Sequence, residues 1–205
     1  LKQGDPKDIV CQVAEEENSD LIIMGSRGLN RLESILANSV SQYVFQLTSR
    51  PMLLVKDDVD IKRINRIMVG YDNSIAAQAA LKLALSMLRD IKGSQLLLIQ
   101  VKANQKAADA IANPERDPIF APAINEAKKQ GVAYKCIVSN GDPGQEICKA
   151  AEEFNVDLIT VGSPERRPSI AKNLPDLDRL LGNSLSDYVR IKAPCPVLLN
   201  RSVVG

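Results

Sequence analysis

Asp20-Leu21-Ile22-Ile23-Met24-Gly25-Ser26-Arg27-Gly28 is the stretch whose reading decides the fold. Leu21 to Met24 is a short continuous apolar run, the pattern of a strand buried on both faces of a parallel sheet. Glycines mark a turn after it, and Asn38-Ser39-Val40-Ser41 then opens a helix. Glycine lets backbone approach a ligand closely, and a helix start offers unpaired N–H groups to a phosphate. The stretch is therefore a candidate anion cradle. Strand–glycine–helix turns also occur with no ligand, so this pattern alone does not choose between the two.

The chain writes the same pattern again. Gly4-Asp5-Pro6 recurs as Gly141-Asp142-Pro143, a shift of 137 positions that also carries Cys11 to Cys148, Asn18 to Asn155 and Gly25-Ser26 to Gly162-Ser163. Asp20-Leu21-Ile22 becomes Asp157-Leu158-Ile159 under the same shift. Further on, Asn38-Ser39 matches Asn183-Ser184, Tyr43 matches Tyr188 and Pro51 matches Pro196, now at a shift of 145. Eight extra residues therefore stand between Gly162 and Asn183, within an insertion at 163–178. Such a repeat reads as duplication. Its expected units are 1–58, a linker at 59–64, and 65–205. The second unit has 76 residues ahead of its Gly-Asp-Pro and the first has three, so the first is expected to lack its front half, or to receive it from another chain.

Around these anchors the expected elements alternate. Lys7 to Glu17 has helical spacing, Ser39 to Leu47 again, and Pro51 to Val55 reads as a strand. In the second unit Arg66 to Asp72 is a strand ending in an acid, and Ser74 is placed to cap the helix that follows. Gln95 to Val101 is a buried strand. Pro114, Pro118 and Pro122 interrupt the next stretch before a helix at Ala123 to Lys129. Val132 to Val138 alternates loosely, as an edge strand does. Gly144 to Phe154 is a helix, and Leu158 to Val161 and Val197 to Leu199 are strands. Strands alternating with helices predict a parallel sheet covered on both faces, with any ligand at the carboxyl ends of the strands.

Val69-Gly70-Tyr71-Asp72-Asn73-Ser74, the strand to Val101, Asp-Leu-Ile-x-x-Gly-Ser, Ser-Val-Ser or Ser-Leu-Ser, and the closing Pro51-Met52-Leu53-Leu54-Val55 and Pro194-Cys195-Pro196-Val197-Leu198-Leu199 together resemble the universal stress protein family. The resemblance implies an α/β fold, a five-stranded parallel sheet of strand order 3-2-1-4-5 in each unit, arranged here as a tandem repeat. It also implies a cytoplasmic stress-response protein that pairs through its last strand, either between domains of one chain or as a homodimer. ATP-binding members share Gly-x-x-Gly, nine residues, then Gly-Ser or Gly-Thr, with an aspartate after strand one and a valine in strand two. Carried over residue by residue, the candidates for ATP or AMP are Gly25, Gly28, Asn38 and Ser39 in the first unit. In the second they are Asp72, Val101, Gly162, Asn183 and Ser184.

The departures matter. Asn38 and Asn183 replace a glycine, a mild change because asparagine tolerates a left-handed backbone. Glu165 stands at the second glycine position of the second unit. A carboxylate there, ~4–6 Å from phosphate, would cost on the order of 1–3 kcal/mol. Arg166 and Arg167 are placed to offset it. The second site is thus expected to be degenerate. Each candidate also has a plainer reading: Asp72, Ser74, Ser39 and Ser184 as helix caps, Val101 as core, and Asp20 and Asp157 as structural ends of helix–strand connections. A non-nucleotide docking or dimerisation module is the alternative function.

Composition excludes much else. Lys plus Arg (26) balances Asp plus Glu (25), which argues against a nucleic-acid or anionic-membrane field. There is no histidine, hence no ordinary general base, and no Cys-x-x-Cys pair among the four cysteines, so neither an enzyme nor a metal site is expected. Apolar runs are too short for a membrane span. Unpaired cysteines in apolar contexts fit a reducing compartment.

Overall fold

In the structure, a computed structural model, residues 2–26, 40–56, 63–102, 113–164 and 185–202 are described. The apolar runs become strands and the 3.6-period segments become helices. In order they are α1 (Pro6–Glu16), β1 (Ile22–Ser26), α2 (Val40–Leu47), β2 (Met52–Lys56), β3 (Arg66–Gly70), α3 (Ile75–Leu88) and β4 (Gln95–Lys102). Two 3-10 turns (Pro114–Arg116, Pro118–Phe120) follow, then α4 (Ala121–Lys129), β5 (Ala133–Asn140), α5 (Pro143–Glu153), β6 (Leu158–Pro164), α6 (Leu185–Lys192) and β7 (Val197–Ser202). Pro122, read from sequence as an interruption, sits in the first turn of α4, where its missing N–H has no partner to lose.

The expected five-stranded sheet is corrected to a seven-stranded one. Its order is β1-β2-β7-β6-β3-β4-β5. All neighbours run parallel except β2 and β7, which are antiparallel. The strands from Arg66 onward lie as β5-β4-β3-β6-β7, and the two strands of the first unit extend that sheet past β7. The reason is the junction. Met52 pairs with Leu199, Leu53 with Leu198 and Leu54 with Val197. Leu53 and Leu198 are partners under the 145-residue shift, and the flanking pairs exchange equivalent positions. This is the self-complementary register of an isologous contact, made inside one chain.

Two apolar layers cover the sheet. On one face α1, α2, α5 and α6 pack over a cluster that includes Phe45, Met52, Met68, Leu97, Ile147 and Ile159, running across both units. On the other, α3 and α4 cover Ile67, Val69, Leu96, Leu98, Leu158 and Leu198. Small residues at Ala77, Ala80 and Ala84 let α3 lie close on the sheet. Local devices repeat with the sequence. Asp5 and Asp142 each cap a helix that opens with proline. Asn18 and Asn155 each take φ 48° after those helices, the left-handed position that asparagine tolerates. Asp157 accepts the backbone N–H groups of Asn65 and Arg66, both at 2.8 Å, which pins the start of β3 to β6.

Candidate functional site

Parallel strands with helices on both faces leave a crevice where neighbouring connections leave for opposite faces. Here that point lies between β3 and β6: the chain leaves β3 into α3 on one face, while α5 feeds β6 from the other. A cavity of about 230 Å3 opens there. Asp72, Val101 and Gly162 all line it, so three of the candidate residues are brought together from three different strand ends. Ser74, Ile99, Ile147, Val161 and Leu185 complete most of the wall. Ile147, Val161 and Leu185 escaped the sequence reading because nothing local distinguishes them from core. They come from α5, β6 and the start of α6, and only the packing of these elements puts them together in the crevice.

Each polar group has a local reason to be where it is. The Ser74 side chain accepts the Ala77 N–H at 3.2 Å as the cap of α3. One oxygen of Asp72 accepts the Ser74 N–H at 3.0 Å, closing a turn whose middle residue, Asn73, has φ 62°. The Tyr71 hydroxyl donates to the Asn73 side chain at 3.0 Å and holds that turn. Burial and the Asp72 charge push the Tyr71 phenol up, so it stays a neutral donor. Ser74 is thus the cap of α3, and Asp72 closes the turn that leads into it.

Gly162 has a packing reason for lacking a side chain. A Cβ there would lie 2.4 Å from the carbonyl carbon and oxygen of Ala76 and 2.7 Å from the Ala77 nitrogen. The first turn of α3 therefore rests directly on β6, which brings the cap of α3 to the cavity mouth. Gly25, its counterpart, is exposed near the end of β1, at the far side of the sheet from Asp72 and Val101. Gly28, Asn38, Ser39, Asn183 and Ser184 lie outside the described residues, as do Glu165, Arg166, Arg167 and the rest of the insertion after Pro164.

The described cavity lining is mostly apolar, with the polar side chains of Tyr71, Ser74 and Gln100 and one carboxylate. Asp72 is the sole charged side chain among its described lining residues. Such a wall suits a flat apolar group carrying hydroxyls and gives no cation to a polyphosphate. No cluster of three potential metal ligands occurs among the described residues. Nor is any described helix long and apolar enough to cross a membrane.

Comparison with known proteins gives one family. The model of the Universal stress protein family matches residues 1–56 and 63–201. Among curated relatives, the Universal stress protein A-like protein of Arabidopsis thaliana is 33% identical over 60 residues, 29% of this chain and 34% of its own length. Universal stress protein YxiE of Bacillus subtilis is 38% identical over 83 residues, 40% of this chain and 51% of its own. The matched stretches thus span between a third and a half of these relatives. A universal stress protein from Archaeoglobus fulgidus superposes with a TM-score of 0.76 at 25% identity, covering 100% of this chain and 69% of that one.

Proposed function

We propose that this chain, which belongs to the universal stress protein family, is a tandem member whose second unit holds the nucleoside end of an adenine nucleotide as a regulatory ligand. The units are taken as 1–58 and 65–205, joined by the linker at 59–64 and paired through β2 and β7. The observation that carries the ligand reading is the convergence of Asp72, Val101 and Gly162 on one cavity at the switch point of the sheet. In this reading one Asp72 oxygen accepts a ribose or base N–H or O–H donor. Ile99, Val101 and Val161 pack on the base, and the first turns of α3, α5 and α6 bring positive helix ends to the cavity. At about 230 Å3 the cavity is somewhat smaller than the ~300–1,000 Å3 of typical small-molecule sites, room for a nucleoside moiety. No step of chemistry is assigned to it.

Titration calorimetry with adenosine, AMP and ATP tests this. Expected are affinities for the three within about tenfold, all lost in Asp72→Ala. A second reading is favoured by the satisfied geometry itself. Asp72 already closes a turn and Gly162 already admits a helix, so both residues could serve the scaffold alone and the chain could act as a docking module. Absence of heat with all three ligands, together with no purine released on denaturing the purified protein, would select that reading.

A further inference from the structure

We propose that the segment 113–120 positions two walls of the cavity at once, with Asp117 and Phe120 as its positioning residues. Neither lines the cavity. Asp117 acts through Lys102, the neighbour of Val101, and Phe120 acts through Tyr71, the neighbour of Asp72. Successive side chains of a strand point to opposite faces. Val101 accordingly packs with Leu97 and Ile99 under α5, and Lys102 follows Leu96 and Leu98 onto the face covered by α3 and α4. There the Lys102 ammonium donates to Asp117 at 3.1 Å, and the two side chains are only 21% and 11% exposed. On the same face the buried rings of Phe120 and Tyr71 stack with centroids 6.3 Å apart.

Both ties continue into the walls. The Tyr71 hydroxyl donates to the Asn73 side-chain oxygen, and Gln78 Nε2 donates to that oxygen at 3.2 Å and to the Asn73 carbonyl at 3.0 Å. Asn73 is thereby clamped between Asp72 and Ser74, which both line the cavity. On the other wall the Lys102 carbonyl accepts the Gly141 N–H at 3.4 Å, at the turn that leads to Pro143 and Ile147. The segment is itself stiff. Pro114 and Pro118 open its two 3-10 turns with φ fixed by their rings, and the second Asp117 oxygen accepts the Ile119 N–H at 3.1 Å. A buried ion pair is a poor source of stability, because desolvation offsets its attraction, but it does restrict geometry. Groups that bind a ligand must be held within about 0.5 Å of the productive position by packed neighbours. A stiff segment tied beside Asp72 and beside Val101 meets that need at both ends of the cavity.

The test uses the full chain and two readouts: adenosine affinity, which rests on the nucleotide reading, and amide hydrogen exchange without ligand, which does not. Lys102→Met with Asp117→Asn removes both charges together and keeps an oxygen for the Ile119 N–H. Expected are a urea midpoint within about 10% of wild type and adenosine binding weaker by at least about fivefold in calorimetry. Asp157→Ala, which loosens the amino end of β3 instead, should lower stability and leave adenosine affinity within about twofold. Exchange should quicken by at least about fivefold at residues 139–144 in the double variant, and at residues 71–78 in Phe120→Leu, each without the other. Phe120→Leu decides the matter if the double variant does not fold. The inference is overturned if neither wall loosens on loss of its own tie, or if both loosen only as far as they do in Asp157→Ala. It is also overturned if wild type binds adenosine and both variants bind it equally well. No heat from wild type with adenosine would sink the nucleotide reading alone, and the exchange pattern would then decide whether the segment positions the walls.

Discussion

Two glycines with similar burial demands should respond differently to the same substitution. In Gly162→Ala the new methyl meets helix backbone, which cannot give without moving α3, so a loss of about 1–3 kcal/mol in urea unfolding is expected. In Gly144→Ala it meets the Tyr188 ring at 2.5 Å, a side chain. There Tyr188→Ala should remove most of the cost, and a double-mutant cycle should show coupling of at least about 0.5 kcal/mol. A cycle with no coupling would show that the strain at Gly144 lies elsewhere. Cys136 gives a pH signature. Burial first, and Glu115 second, push its thiol from 9.0 up to about 12. Below pH 9 the thiol is protonated in both folded and unfolded chains, and its full contribution to stability is present. Between pH 9 and about 12 the unfolded chain ionises first, so that contribution falls as pH rises. Native protein at pH 8 should leave Cys136 unmodified by a thiol reagent that labels it completely in urea.

At the scale of elements, the ends of strands and one helix face carry the sharpest expectations. Asp157→Ala takes the acceptor from two backbone N–H groups at the start of β3 and should cost about 1–3 kcal/mol, with faster hydrogen exchange confined to Asn65 and Arg66. Uniform acceleration across the sheet would contradict that local role. On α6, Asp187 and Arg190 face each other at 3.8 Å with side chains 2–3% exposed, where the first unit has Gln42 and Phe45. Burial lowers the Arg190 pKa, and Asp187 opposes the shift. Removing only the cation in Arg190→Ala should cost about 3–5 kcal/mol. Installing the first unit's residues together, Asp187→Gln with Arg190→Phe, should cost clearly less in the same denaturation assay.

The seven strands form one sheet, and one apolar layer crosses the β2–β7 junction without a break. The chain is therefore expected to unfold in a single calorimetric transition with equal calorimetric and van't Hoff enthalpies. Leu53→Asp, at the centre of the junction, should split that transition in two; a single transition surviving the substitution would mean the units are coupled by something other than this pairing. Much of this was legible from residues. The Asp-Leu-Ile-x-x-Gly-Ser stretches read as parallel strands, and Asp72 and Val101, singled out by their motif, line the cavity. Other features were not legible. Ile147 and Val161 look like ordinary core, Gly162 looks like a ligand glycine, and nothing in Met52 to Leu54 says that it pairs with Val197 to Leu199. Periodicity and local chemistry depend on neighbours along the chain, and these determined the elements, their caps and the family. Which strand edges meet, which glycine yields to which backbone and which apolar residues wall a crevice are set by contacts between segments far apart in sequence. Such contacts leave no period to read, so only the tertiary structure decided the seven-stranded sheet and the cavity at its switch point.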